Sequence, residues 1–153
     1  MTDRQIAATF EEHADTVYRV CFTYFKGNVM DAEDAVQTVF LNLIRSGKTF
    51  ESAGHQKAWL IVTAANVCKN MLKSKRRTTA EVHQPQSETA VDETFGMVLE
   101  LPEMYKLTIY LFYYEGYSAK EIGGMLGKRQ STVWKYLKTG RDLLRERITE
   151  EMR

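Results

Sequence analysis

Two cysteines and three histidines are the first residues to weigh for chemistry, because thiolates and imidazoles bind transition metals and act as nucleophiles or bases near neutral pH. Cys21 and Cys68 stand 47 positions apart with no Cys-x-x-Cys, and His13, His55 and His83 are scattered. That spacing predicts neither a zinc site nor a disulfide framework, and Cys68 reads as a small packed residue. No nucleophile, base and ligand set clusters anywhere, so the expectation is a protein that is not an enzyme and carries no metal and no cofactor.

The side chains with most to offer are instead cations and hydrogen-bond donors. Lys57, Lys69, Lys73, Lys75, Arg76 and Arg77 fall within 57–77 without a single acid. Residues 78–99 then carry four acids and no Lys or Arg, and residues 118–147 carry eight bases against three acids. A net charge of +1 conceals this segregation. Solvated helix faces would mix the signs, so two separate basic blocks predict two places where a polyanion docks.

The sharpest local pattern lies at 118–138. Ser118 can cap a helix, and Glu121 three residues on completes a capping box. SAKEIGGML puts Ile122, Met125 and Leu126 on one face, with Gly123 where a crossing helix must come close, and Gly127 allows a tight turn. In the next helix Val133 and Leu137 form the buried i, i+4 pair. Arg129, Gln130, Ser131, Thr132, Trp134, Lys135, Tyr136 and Lys138 are left outward, rich in donors and flat side chains. Such a helix-turn-helix presents the start of its second helix to base edges in the major groove while flanking cations hold phosphates.

These groups need elements to position them, and the rest of the chain supplies helices. The 153 residues are 44% apolar and 27% charged, as in a soluble globular protein, with no apolar run long enough to span a bilayer and no signal-peptide pattern at the N-terminus. A cytoplasmic protein without membrane insertion is expected. Apolar residues recur at helical spacing and no long period-2 run occurs, so the fold class is all-α. Ile6, Phe10, His13, Val17, Val20/Cys21 and Tyr24 mark a first helix ending near residues 26–28. Asp31 can cap a second, with the stripe Ala32, Ala35/Val36, Val39/Phe40 and Leu43/Ile44, and Gly47 closes it. A third runs from about His55 to Lys75. Residues 78–90, TTAEVHQPQSETA, form a polar, proline-bearing linker. Helical pattern returns over 91–101, breaks at Pro102, resumes from Glu103 to Glu115, and continues near 118–126 and 131–147. The division is therefore 1–77, a flexible linker at 78–90, and a helix-turn-helix domain at 91–153.

At this point the motifs acquire a family. Leu101-Pro102-Glu103, Tyr114-Glu115-Gly116-x-Ser118, Glu121-Ile122, Leu126-Gly127 and Thr132-Val133 resemble the C-terminal domain of bacterial sigma-70-family factors, especially the small extracytoplasmic-function (ECF) group. The resemblance implies binding of the promoter −35 element through Arg129, Gln130, Ser131, Thr132, Trp134, Lys135, Tyr136, Lys138 and Arg141. After Thr-Val the family usually has a small or basic pair followed by Arg, whereas this chain has Trp134-Lys135-Tyr136, so the base preference does not carry over.

DAEDAVQTVFLNLI resembles the helix by which such factors grip the clamp of core RNA polymerase, with Asp34, Gln37, Phe40 and Leu41 matching and Thr38 where many members have an acid. A carboxylate and an amide beside an apolar anchor suit a basic clamp surface. FESAGHQKAWLIVTAANVCKNMLKSKRR resembles the segment that opens and reads the −10 element, through Trp59-Leu60 and Asn66. There a polar loop from Phe50 to Lys57 would accept a flipped base, and Ser52, His55, Lys57, Asn66, Asn70, Lys73, Arg76 and Arg77 would hold the melted strand. The resemblance implies an ECF sigma factor whose partners are bacterial core RNA polymerase, promoter DNA and an anti-sigma factor, with the acidic linker lying in the polymerase's RNA-exit region. Two other classes are open: a helix-turn-helix regulator that binds DNA without polymerase, which leaves Asp34–Leu41 and Asn66–Arg77 unexplained, and an enzyme or metal-dependent sensor built on the cysteines or histidines.

Overall fold

Helices begin readily where a side chain can satisfy the first free N–H groups, and the computed structural model shows this at four starts, capped by Thr2, Asn28, Ser52 and Ser118. It describes residues 1–26, 28–77 and 93–152, with the backbone alone for 75–77. The linker at 78–90, including His83, and the side chains of Arg76 and Arg77 lie outside the described residues. The chain divides into two compact helical units, Met1–Ala90 and Val91–Arg153, and no strand occurs among the described residues.

In the first unit α1 (Asp3–Phe25) opens on a reciprocal capping box between Thr2 and Gln5. Its inner face is Thr9, His13, Val17, Val20 and Cys21. Phe10 is exposed rather than inward, its ring edge-on to Phe40 at 4.9 Å. The cap of α2 (Val29–Ser46) is Asn28, whose side chain accepts from the Asp31 N–H, so the helix starts before the expected Asp31. Asp31 still favours the helix dipole from the first turn. Gly47 ends α2 in the left-handed conformation (φ 62°), which costs glycine nothing. α3 (Ala53–Arg77) packs Leu60, Ile61, Ala64, Val67 and Cys68 against the other two helices. The Tyr18 hydroxyl donates to Glu33 at 3.2 Å, tying α1 to α2. Burial and the Glu33 charge push that phenol up to about 12.

In the second unit α4 (Glu93–Leu99) and α5 (Glu103–Ile109) are shorter than the periodicity predicts. α5 does not continue unbroken to Glu115 but passes into a π-helical turn at Tyr110–Tyr114. Tyr110 is buried there against Phe95, and its hydroxyl pairs with Glu115. α6 (Ala119–Leu126) and α7 (Gln130–Glu151) form the expected helix-turn-helix around Ile122, Val133 and Leu137, all fully buried. α7 approaches α5 tightly at Gly140. A Cβ built there would stand 2.9 Å from an Ile109 side-chain carbon and 3.4 Å from Tyr105.

Candidate nucleic-acid interface

The capping box at Ser118 and Glu121 fixes where α6 begins, with backbone-to-side-chain bonds of 2.9 and 3.1 Å. Gly127, at φ 67°, turns the chain toward α7. Gly123 accommodates that turn rather than a crossing helix as expected: its missing Cβ leaves room for the Lys128 carbonyl. The crossing-helix role belongs to Gly140.

On α7 the outward face carries Gln130, Ser131, Trp134, Lys135 and Lys138, with Arg129 exposed at the cap position. Lys138 shares Asp142 with Arg145 at 3.5 and 3.6 Å, contacts too exposed to hold it strongly. Two members of the expected outward set are less exposed than their spacing suggests. Tyr136 falls on the side of Val133 and Gly140 and is half-buried, its ring edge-on to Tyr105 at 5.7 Å. Thr132, also half-buried, lies off the outward stripe. Arg141 donates to the Tyr113 hydroxyl at 3.1 Å, which leaves the phenol's own proton free to donate to an anion beside the guanidinium. Tyr113 was not among the expected residues. A polar tip that meets a cation 28 residues further along the chain has no local sequence signal.

In the first unit α3 displays His55, Asn66, Asn70 and Lys73 on one exposed face. Lys57 does not join them. It is half-buried and, by helical spacing, shares the inner side with Leu60, Ile61 and Ala64. Ser52 has a structural task, accepting from the His55 N–H at 3.1 Å as the cap of α3. Beside this start lies a cleft of about 410 Å³ lined by Met1, Gln5, Thr9, Phe50, Ser52 and Gln56. Gln56 donates to the Thr9 hydroxyl at 3.2 Å, so α1 forms one wall of the loop expected to take a flipped base. Gln5 and Thr9 come from α1, far in sequence from the Phe50–Lys57 loop, so no local pattern points to them. Phe50 is clasped by His55 and Trp59 at 5.5 and 5.7 Å, and Trp59 is half-buried.

α2 turns Asp34, Gln37, Leu41 and Ile44 outward on one stripe. Leu41 is 46% and Ile44 50% exposed. Ile44 is thus not part of the core as expected, and it extends the apolar surface by one turn. Phe40, expected as the apolar anchor, is 7% exposed and packs on Phe10, so it stiffens the helix from within.

Cys21 and Cys68 meet in the α1–α3 interface, both fully buried. A hydrogen bond from one thiol to the other, together with burial, pushes Cys21 far above the ordinary thiol range and keeps it protonated. His13 is buried in α1, and His55 is exposed. Among the described residues no group of three or more His, Cys, Asp or Glu could hold a metal ion. None of the helices among them is long and apolar enough to cross a membrane.

Residues 9–78 match Sigma-70 region 2, and residues 96–144 match Sigma-70, region 4. The ECF RNA polymerase sigma factor SigE of Mycolicibacterium smegmatis is 29% identical over 91% of this chain, which spans only 60% of that relative's length. The ECF RNA polymerase sigma factor SigW of Bacillus subtilis is 24% identical over 90% of this chain and 86% of its own. Among solved structures, the sigma factor RpoE of Bartonella quintana, in complex with the anti-sigma factor NepR, superposes with a TM-score of 0.72 over 95% of both chains at 16% identity.

Proposed function

From the premise that this chain belongs to the sigma-70 family of RNA polymerase sigma factors, in its ECF group, we propose that it binds core RNA polymerase and directs it to specific promoters. The observation that carries this is the pairing of two units with different outward chemistries. The α2 stripe Asp34, Gln37, Leu41 and Ile44 is apolar with a carboxylate and an amide, which suits a basic protein surface. The α3 face His55, Asn66, Asn70 and Lys73 offers amides for base edges and a cation for phosphate, and Lys69 adds another on the exposed side. The cleft at Thr9, Phe50 and Gln56 would take one base flipped from the melted −10 strand. The α7 face from Arg129 to Lys138 would enter the −35 major groove, with Arg141 and Tyr113 on a phosphate.

The chain performs no catalysis itself in this reading; polymerase supplies the chemistry, and the factor acts in the cytoplasm where polymerase works. An anti-sigma factor is a further partner, as the RpoE complex shows for that protein. A DNA-binding regulator without polymerase is disfavoured, because it gives the exposed Leu41 and Ile44 no use. Gel filtration of the labelled full chain with its own core polymerase tests the proposal, and co-elution is expected. In a second measurement Arg129→Ala and Lys135→Ala should each weaken −35 duplex binding by about 1–3 kcal/mol where the contact is a bidentate base contact. Where it is a phosphate contact the salt slope should instead fall by about 1. Titration at several salt concentrations separates the two.

A further inference from the structure

The outward face of α7 contains one side chain that neither phosphate binding nor hydrogen-bonded readout explains. Trp134 sits in the second turn of the helix, flanked by Ser131, Lys135 and Lys138, and is 46% exposed. It is not needed to close the core, which Val133 and Leu137 fill from the other side. Its ring is steadied edge-on by Phe112 from the π-helical turn, with centroids 5.9 Å apart and planes at 65°. The rest of its face is open to whatever α7 meets.

An indole has a single donor and no acceptor, so it cannot make the forked bonds by which Arg, Asn or Gln read a base pair. It brings no charge to a phosphate. What it offers is a flat, rigid apolar surface, and the only apolar group on a base edge in the major groove is the C5-methyl of thymine. We propose that Trp134 is a specificity residue that selects a thymine by contact with its methyl group, with Phe112 as the positioning residue behind it. This rests on the reading of α7 as the −35 reader.

The test uses holoenzyme reconstituted from the full chain and its core polymerase. Promoters selected from a randomised library should be enriched for a thymine at one position of the −35 element, on either strand. Replacing that thymine by deoxyuridine removes only the methyl, and should weaken binding roughly three- to fivefold, the effect of one buried carbon. Holoenzyme carrying Trp134→Ala, and separately Trp134→Arg, should bind the two duplexes equally. Because the thymine–uridine comparison is made first on the unaltered protein, a variant that folds poorly does not decide the matter. Equal binding of both duplexes by the unaltered holoenzyme, or an enriched −35 element without thymine, overturns the role of Trp134 alone. If no sequence at −35 is enriched at all, the reading of α7 as the −35 reader fails, and this inference with it.

Discussion

Replacing Gly123 with alanine should destabilise the second unit by about 1–3 kcal/mol and abolish −35 binding, although the change adds one methyl group to a helix. The new Cβ would lie 2.6 Å from the Lys128 carbonyl oxygen and 3.6 Å from the Gln130 nitrogen. Both neighbours are backbone and cannot swing aside as a side-chain tip would. They belong to the turn that sets the start of α7, and the Gly123 carbonyl accepts both the Gly127 and the Lys128 N–H. Relief of the clash must therefore shift the turn and carry Arg129, Gln130 and Ser131 out of register. Gly124 is the matched control. Nothing lies within 4 Å of a Cβ there, so alanine should stabilise α6 by about 0.5–1 kcal/mol through helix propensity. Denaturant unfolding of the full chain, with duplex titration alongside, checks both. Equal behaviour of the two variants would refute the proposed role of the turn.

The same glycine shows how far the sequence could be read. Helix starts with a local signature were legible: the Ser118–Glu121 box needs only residues three apart, and the structure makes both of its bonds. The buried pair Val133 and Leu137 followed from spacing alone. Gly123 was recognised as a site of close approach, but its neighbour is the turn's own backbone, and the helix crossing occurs at Gly140 against Ile109. Which surface meets a glycine depends on a partner remote in sequence. Residues at the flank of a helical stripe were misplaced for the same reason. Tyr136 turns inward, where Tyr105 meets it, and Ile44, at the edge of the apolar stripe, stays exposed, whereas Phe40 is buried as its place in that stripe predicts. The π-helical turn at Tyr110–Tyr114 has no counterpart in 3.6-residue periodicity, yet it places Phe112 beneath Trp134. Cys21 and Cys68, 47 residues apart, become neighbours only through the packing of α1 on α3. The placement of side chains was thus readable where one helix carries them, and unreadable where two distant segments bring them together.

Combining Gln37→Ala with Leu41→Ala should weaken the complex with core polymerase by about 2–4 kcal/mol, roughly 30- to 1,000-fold, while leaving the fold intact. Both side chains stand on the exposed stripe of α2, and surface changes away from packed features usually move stability by no more than about 0.5 kcal/mol. In the proposed reading their value is to a partner: Leu41 presents exposed apolar area that association would bury, and Gln37 can pair with a polar group at its edge. Phe40→Ala supplies the contrast. Its ring is packed on Phe10, so truncation should lower stability by several kcal/mol. Any loss of polymerase binding there should track the unfolded fraction. Ile44→Ala, exposed one turn further along the same stripe, should weaken the complex without unfolding the chain if the interface follows α2 toward its C-terminal end. Gel filtration with core polymerase and circular dichroism of each variant separate the two mechanisms. If the double variant co-elutes with polymerase as the unaltered chain does, the α2 stripe is not the docking surface, and the apolar exposure of Leu41 and Ile44 must answer to a different partner.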